Sequence, residues 1–155
     1  MKRLLISLAL ALMLMAVMAM PAMAANPDTT DVTGTVPFTI DVTAPSDIGF
    51  GTFVDGINSD SSDTAGTVTC NGTTWSVTAK DLAGTDPGYM KSAGNKLGAK
   101  LEISKDGTTF AGADAGVVYD GQPTALSFWA QQTVALATDK VGAYSITITF
   151  TGSGS

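Results

Sequence analysis

The densest run of oxygen ligands in the sequence is Asp55-Gly56-Ile57-Asn58-Ser59-Asp60-Ser61-Ser62-Asp63. Hard cations such as Ca²⁺ take about six to eight oxygens, and Asp55, Asn58, Asp60 and Asp63 with neighbouring carbonyls would supply several. The spacing is not that of an EF-hand, and no Glu closes the run as a bidentate ligand. Asp, Asn, Ser and Gly are equally the residues of a plain solvated loop. The sequence therefore predicts a loop here, with Ca²⁺ as the one cofactor it could hold.

Two other places carry chemistry. Asn71-Gly72-Thr73 is a formal N-glycosylation sequon, and the same Asn-Gly pair is a strong hairpin-turn signal. Around Trp129, Leu126, Phe128 and Ala130 share one parity, while Ser127, Trp129 and Gln131 share the other. Trp129 and Gln131 are thus the partner-binding candidates: an outward aromatic beside an amide suits a glycan or protein partner. Burial of the ring beneath a loop is the competing reading. Trp75 has the parity of Val77 and Ala79 and reads as core.

Catalytic vocabulary is scarce. Carboxylate-pair hydrolysis needs two acids held about 5–10 Å apart, yet Glu102 is the one Glu and most Asp residues stand in turn-like contexts. A Ser nucleophile needs a base, and the chain has no His. No catalytic residue is assigned and no enzyme is expected.

The first residues explain where such a chain would work. Lys2 and Arg3 precede an apolar run from Leu4 to Met20 broken only by Ser7, and Pro21-Ala22-Met23-Ala24 offers a small-x-small cleavage site. This reads as a signal peptide over 1–24, although the run also approaches the ~20 residues of a membrane anchor. Cleavage after Ala24 leaves 131 residues with six lysines against thirteen aspartates and one glutamate, a net charge of −8. An acidic chain without Arg lacks the clustered cations that bind phosphates, which excludes nucleic acid and disfavours anionic lipid. No membrane partner is expected once the leader is removed. Cys70 stands alone, so the fold rests on burial; its parity with Val68 points it inward as a small hydrophobe, against an intermolecular bridge.

Alternation positions these groups. Val36 to Thr43, Leu97 to Ser104 and Tyr144 to Thr151 each alternate apolar with polar residues, so each buries one face of a strand. Weaker strands are predicted over Asp47–Phe53, Gly66–Cys70, Thr74–Lys80, Gly116–Tyr119 and Ala125–Gln131. Asn71-Gly72 would join two of them as a hairpin. Gly84, Pro87, Gly88 and Gly94 make Leu82–Asn95 a loop. About eight short antiparallel strands indicate an all-β, two-sheet β-sandwich of immunoglobulin-like or jelly-roll type, with a small closed barrel as runner-up. The domain would span 36–151, between a flexible lead-in at 25–35 and a flexible Gly/Ser tail at 152–155.

Phe50-Gly51, the Thr74-Trp75-Ser76-Val77-Thr78 strand, Leu97-Gly98-Ala99-Lys100-Leu101 and the closing Gly142-to-Phe150 segment occur in that order. Together they resemble the WxL-type surface domains of Gram-positive bacteria. That resemblance implies an exported β-sandwich held non-covalently at the cell envelope, with peptidoglycan as a partner. The chain departs from that family where Ser76-Val77 follows Trp75 and where Ile148-Thr149-Phe150 stands in place of a second Trp-x-Leu. Phe50-Gly51, Thr67-Val68-Thr69-Cys70 and Gly142-Ala143-Tyr144 are similar also to the spore coat protein U and chaperone–usher pilin group. There the second Cys pairs with an earlier one; here Ile40 or Val42 stands near that place, so no disulfide is expected.

Val32, Val36, Phe38, Ile40 and Val42 share parity, so Thr30–Thr43 can complete its own sheet or add to the edge of another copy. The expectation is a secreted, non-enzymatic envelope or surface protein, structural or adhesive, with an envelope polymer or protein as partner. The alternatives are a self-associating filament or coat subunit assembled by strand donation, and a small glycan-binding module.

Overall fold

A computed structural model describes residues 31–155. Over those residues the chain is all-β, with twelve strands and no helix. The strands are β1 (Ile40–Thr43), β2 (Gly56–Ser61), β3 (Gly66–Cys70), β4 (Trp75–Lys80), β5 (Lys91–Ser92), β6 (Asn95–Lys96), β7 (Glu102–Ser104), β8 (Ala111–Gly112), β9 (Val117–Tyr119), β10 (Ala125–Leu126), β11 (Trp129–Val134) and β12 (Thr149–Gly154). All lie in the unit Val36–Ser155. The leader, its cleavage site and the first residues of the lead-in lie outside the described residues.

Four antiparallel sheets result, ordered β1-β3-β10, β2-β11-β7-β8, β12-β4-β9 and β5-β6. The apolar faces predicted by alternation converge on one cluster: Val77, Ala79, Leu97, Ile103, Leu126 and Ala130 are all buried. Leu101 and Ile103 lie inward as their odd parity requires, although the strand proper covers only Glu102–Ser104. Side-chain parity thus survives where the hydrogen-bonded ladder stops.

Several boundaries differ from expectation. Asp55–Asp63 is not a loop: its centre is β2, laid along β11 from Trp129↔Ser61 to Val134↔Gly56. Its polar composition disfavours a strand, but β11 offers six consecutive rungs, and tertiary pairing wins. Asn71-Gly72 is not a hairpin, because β3 and β4 belong to different sheets. Asn71 instead extends β1 with its side chain, Oδ1 accepting from Thr39 N–H at 2.8 Å and Nδ2 donating to Pro37 O at 2.9 Å. Ala125–Gln131 is two strands, since the chain leaves the β1-β3-β10 sheet after Leu126 and enters the β2-β11-β7-β8 sheet at Trp129.

The Gly/Ser end, expected as a flexible tail at 152–155, is ordered. Gly152, Ser153 and Gly154 continue β12 along β4, and Ser155 N–H donates to Thr74 O at 3.1 Å. Glycine is used there for close approach: a methyl on Gly152 would come within 2.7 Å of the Ile40 side chain and 2.9 Å of Val42.

The reverse happens at Asp47–Phe53 and Tyr144–Ile148, both predicted as strands. Ile48 and Phe50, and Tyr144, Ile146 and Ile148, pack in alternation against the core, and Phe53 packs there out of that parity. Among the described residues, however, the only ladder contact of either segment is the Lys91↔Ser145 bridge. Two cavities of about 640 and 430 Å³ open along this seam.

Candidate functional site

The four acidic-run residues point apart. Asp55 Oδ1 accepts from Leu136 N–H at 2.9 Å, fastening the end of β11, and Asp60 Oδ1 accepts from Ser61 N–H at 2.8 Å. Asn58 turns inward: Nδ2 donates to the carbonyls of Val54 and Gly56 at 2.9 and 3.1 Å, and Oδ1 accepts from Val54 N–H at 2.9 Å. Asp63 is exposed beyond the strand. Among the described residues no group of three or more His, Cys, Asp or Glu side chains stands close enough to hold a metal ion. Pairing as a strand explains this, because successive side chains leave by opposite faces.

Asn71 is exposed, but its amide nitrogen, the atom a glycan would occupy, is engaged with Pro37 O. Cys70 is half-buried and free, its Sγ accepting from Gly72 N–H at 3.2 Å. Trp75 packs on the core and its Nε1–H reaches Pro123 O at 3.3 Å.

Trp129 and Gln131 come together with residues the sequence did not single out. Register places Trp129 between Ser61 and Ser104, and Gln131 between Ser59 and Glu102. These side chains share the sheet face opposite the core. A groove of about 330 Å³ runs over them, lined by Ser59, Asp60, Ser61, Phe110, Trp129 and Gln131. Gln131 Nε2 donates to Glu102 Oε2 at 2.7 Å, which fixes the amide orientation and presents its oxygen away from the carboxylate. The sequence carried the parity of Trp129 and Gln131. Ser59, Ser61, Glu102 and Phe110 became legible only with the β2-β11-β7 register, since no local signal aligns three separate segments.

A turn closes one side of the groove. Gly107, at φ +72°, lies against the indole of Trp129, and a methyl on it would come within 3.1 Å of the ring. The competing expectation for Trp129, cover by a loop, is therefore met on one side, while the residue remains partly exposed. Asp106 holds this turn: its Oδ1 accepts from Thr109 N–H at 2.7 Å, Thr108 N–H at 2.8 Å and Ser104 Oγ–H at 2.9 Å. The two backbone donors, Thr109 first, hold its carboxyl well below the usual range. Lys105 points away, its Nζ donating to Val118 O at 2.7 Å and Asp120 at 3.3 Å. Asp60 therefore lines the groove and Glu102 stands beside it, held by Gln131, with no lysine among the lining residues.

The lysines gather elsewhere. Lys96 pairs with Asp86 and Lys100 with Asp114, each at 2.5 Å, and both approach the Tyr89 ring, at 4.4 and 5.7 Å from its centroid. Each lysine is raised, and each Asp lowered, first by the hydrogen bond between them. The exposed Lys96–Asp86 pair and the half-buried Lys100–Asp114 pair are each neutralised within themselves and offer no open anion site.

Compared with known proteins, the chain matches no family model and no curated protein sequence.

Proposed function

We propose that this chain is a secreted, non-enzymatic β-sandwich protein that acts at the cell envelope or cell surface in a structural or adhesive role. The observation that carries the reading is the use made of its polar side chains. Asp55, Asp81, Asp106 and Asp139 accept backbone N–H groups, as does the Asn58 amide oxygen, so these four carboxylates are tied into holding loops. Such a device stabilises a β-scaffold whose connections are long and irregular. The sandwich is supported by β1 facing β12 through Ile40, Val42 and Gly152, with the buried cluster shared among the sheets. The signal-type leader and the acidic, Arg-free remainder support export and argue against nucleic acid and anionic lipid. The resemblance to WxL-type surface domains fits the same location.

The test is expression of the full chain in a bacterial host, followed by mass analysis of the exported form and fractionation of the cells. The expected outcome is a product cut after Ala24 that is recovered with washed envelopes and is released by salt or denaturant. Recovery of an uncut, cytoplasmic protein overturns the reading.

A second reading, strand donation into a filament or coat, is favoured by a specific observation. Val32 and Val36 are 94% and 83% exposed, although they continue the apolar parity of β1, and the seam between Asp47–Phe53 and Tyr144–Ile148 offers unpaired backbone. Light scattering on the exported protein separates the readings: polymers that vanish in a Val32→Asp/Val36→Asp variant support donation, and a monodisperse monomer removes it.

A further inference from the structure

We propose that the groove over Trp129 is a glycan subsite that receives one ring of a neutral oligosaccharide. It deepens the envelope reading, which supplies only the place where such a polymer would be met.

The groove combines the two elements that sugar recognition requires. A pyranose with equatorial hydroxyls is apolar across its ring faces and polar around its edge. It is therefore bound by an aromatic surface with hydrogen-bonding groups set around it. Here Trp129 and Phe110 supply the aromatic surface, and Ser59, Ser61 and the Gln131 amide lie beside them on the same sheet face. Ser and Gln both donate and accept, as a sugar hydroxyl does. Among the described residues the Trp129 Nε1–H has no hydrogen-bond partner, in contrast to Trp75, whose indole donates to Pro123 O.

Preorganisation is visible on both sides of the groove. Gln131 is held by Glu102, and the Gly107 turn is held by Asp106 against the indole. A ligand would not have to order these groups, which lowers the entropic cost of binding. Trp129 and Gln131 sit on β11, which is paired on both edges, so the platform is held from both sides.

Charge and size narrow the ligand. Asp60 and Glu102 without an intervening cation repel sulfate, phosphate and uronate groups, which points to a neutral sugar. A volume of about 330 Å³ is at the small end of ligand sites, which run from about 300 to 1,000 Å³. It accommodates one ring of a longer chain, with affinity on the order of 1 mM for a single site.

The experiment is a ¹H–¹⁵N titration of the exported protein with cellotetraose and, separately, chitotetraose, following both indole N–H signals. The expected result is a saturable shift of the Trp129 signal with at least one probe, the Trp75 signal staying still. Gln131→Leu should weaken binding about tenfold while the spectrum remains dispersed, and Trp129→Ala should abolish it. Because Trp129→Ala can disturb folding, Ser61→Ala is a second variant, expected to weaken binding about threefold. An unmoved Trp129 signal up to about 10 mM of both probes overturns the proposal. So does saturable binding that moves only other residues, or equal binding of a sulfated tetrasaccharide. Envelope recovery of the wild-type chain is scored independently: recovery without oligosaccharide binding removes the subsite alone, and binding without recovery removes the envelope reading alone.

Discussion

The β2-β11-β7-β8 sheet and the seam between Asp47–Phe53 and Tyr144–Ile148 are built from different kinds of sequence, and the less promising sequence has the better ladder. β2 is Gly-Ile-Asn-Ser-Asp-Ser, yet it is hydrogen-bonded along six rungs to β11. Tyr144-Ser145-Ile146-Thr147-Ile148 alternates cleanly and is rich in β-branched residues, yet touches the ladder only at Ser145. What differs is the neighbour. β11 buries Ala130, Gln132 and Val134 and leaves both its edges available, whereas the seam faces the irregular stretch 81–90 and the unpaired Asp47–Phe53. Alternation decides which side of a segment is buried; a ladder also needs a partner of matching length.

This contrast is most sharply broken or upheld by paired truncations in the two regions. Ile103 is fully buried at the centre of its sheet, so Ile103→Ala removes about three methyl(ene) groups from a site with little freedom to collapse. The expected loss is about 3–4 kcal/mol in urea unfolding. Ile146 is half-buried beside a cavity of about 430 Å³, and Ile146→Ala should cost only about 1 kcal/mol because part of its contact shell is already missing. Equal losses would mean that the seam is closed and packed in solution, which would end the contrast.

A pH measurement sharpens the same comparison from the paired side. The Tyr119 hydroxyl donates to Ser127 O at 2.6 Å, at the point where the chain crosses from one sheet to the next. Burial pushes its pKa up to about 12, from a usual value of 10.0. The folded state therefore holds this proton more tightly than the unfolded state. The associated stability is fully present below pH 10 and is lost as pH rises through about 12. About 1–2 kcal/mol should disappear over that interval, measured by urea unfolding at stepped pH. Tyr119→Phe should be less stable at neutral pH, with a flatter alkaline limb. An unchanged limb in that variant would place the alkaline loss in other groups.

How much of this was legible follows from the same distinction. The buried faces of Leu97–Ile103, Trp75–Ala79 and Leu126–Ala130 could be read directly, because parity is a property of each segment alone. The fate of Asp55–Asp63 could not: its oxygens were visible, but the β11 partner that straightens the run lies some seventy residues away, and straightening it disperses the oxygens. Gly152 looked like slack because its role is to admit Ile40 and Val42 from another sheet. For the groove, Trp129 and Gln131 could be anticipated from one strand, whereas Ser59, Ser61, Glu102 and Phe110 needed the register of three.

The smallest effect tests whether the seam can be tightened from outside. Lys91, which supplies its one bridge to Ser145, begins the β5-β6 hairpin, whose central residues Ala93 and Gly94 both have positive φ, +43° and +84°. A two-residue turn of that kind favours Asn-Gly, and Ala at the first position is strained by its Cβ. A methyl on neighbouring Gly94 would meet nothing within 4 Å, so conformation rather than crowding sets the strain at this turn. Ala93→Asn should therefore stabilise the protein by about 0.5–1 kcal/mol. If Lys91 anchors the seam, the gain should reach Ser145. Its amide, already donating to Lys91 O at 3.0 Å, should exchange more slowly, while those of Ile146, Thr147 and Ile148 stay fast. A gain in stability that leaves Ser145 exchange unchanged would show that the hairpin and the seam open independently. The seam would then owe its position to the packing of Tyr144, Ile146 and Ile148 alone.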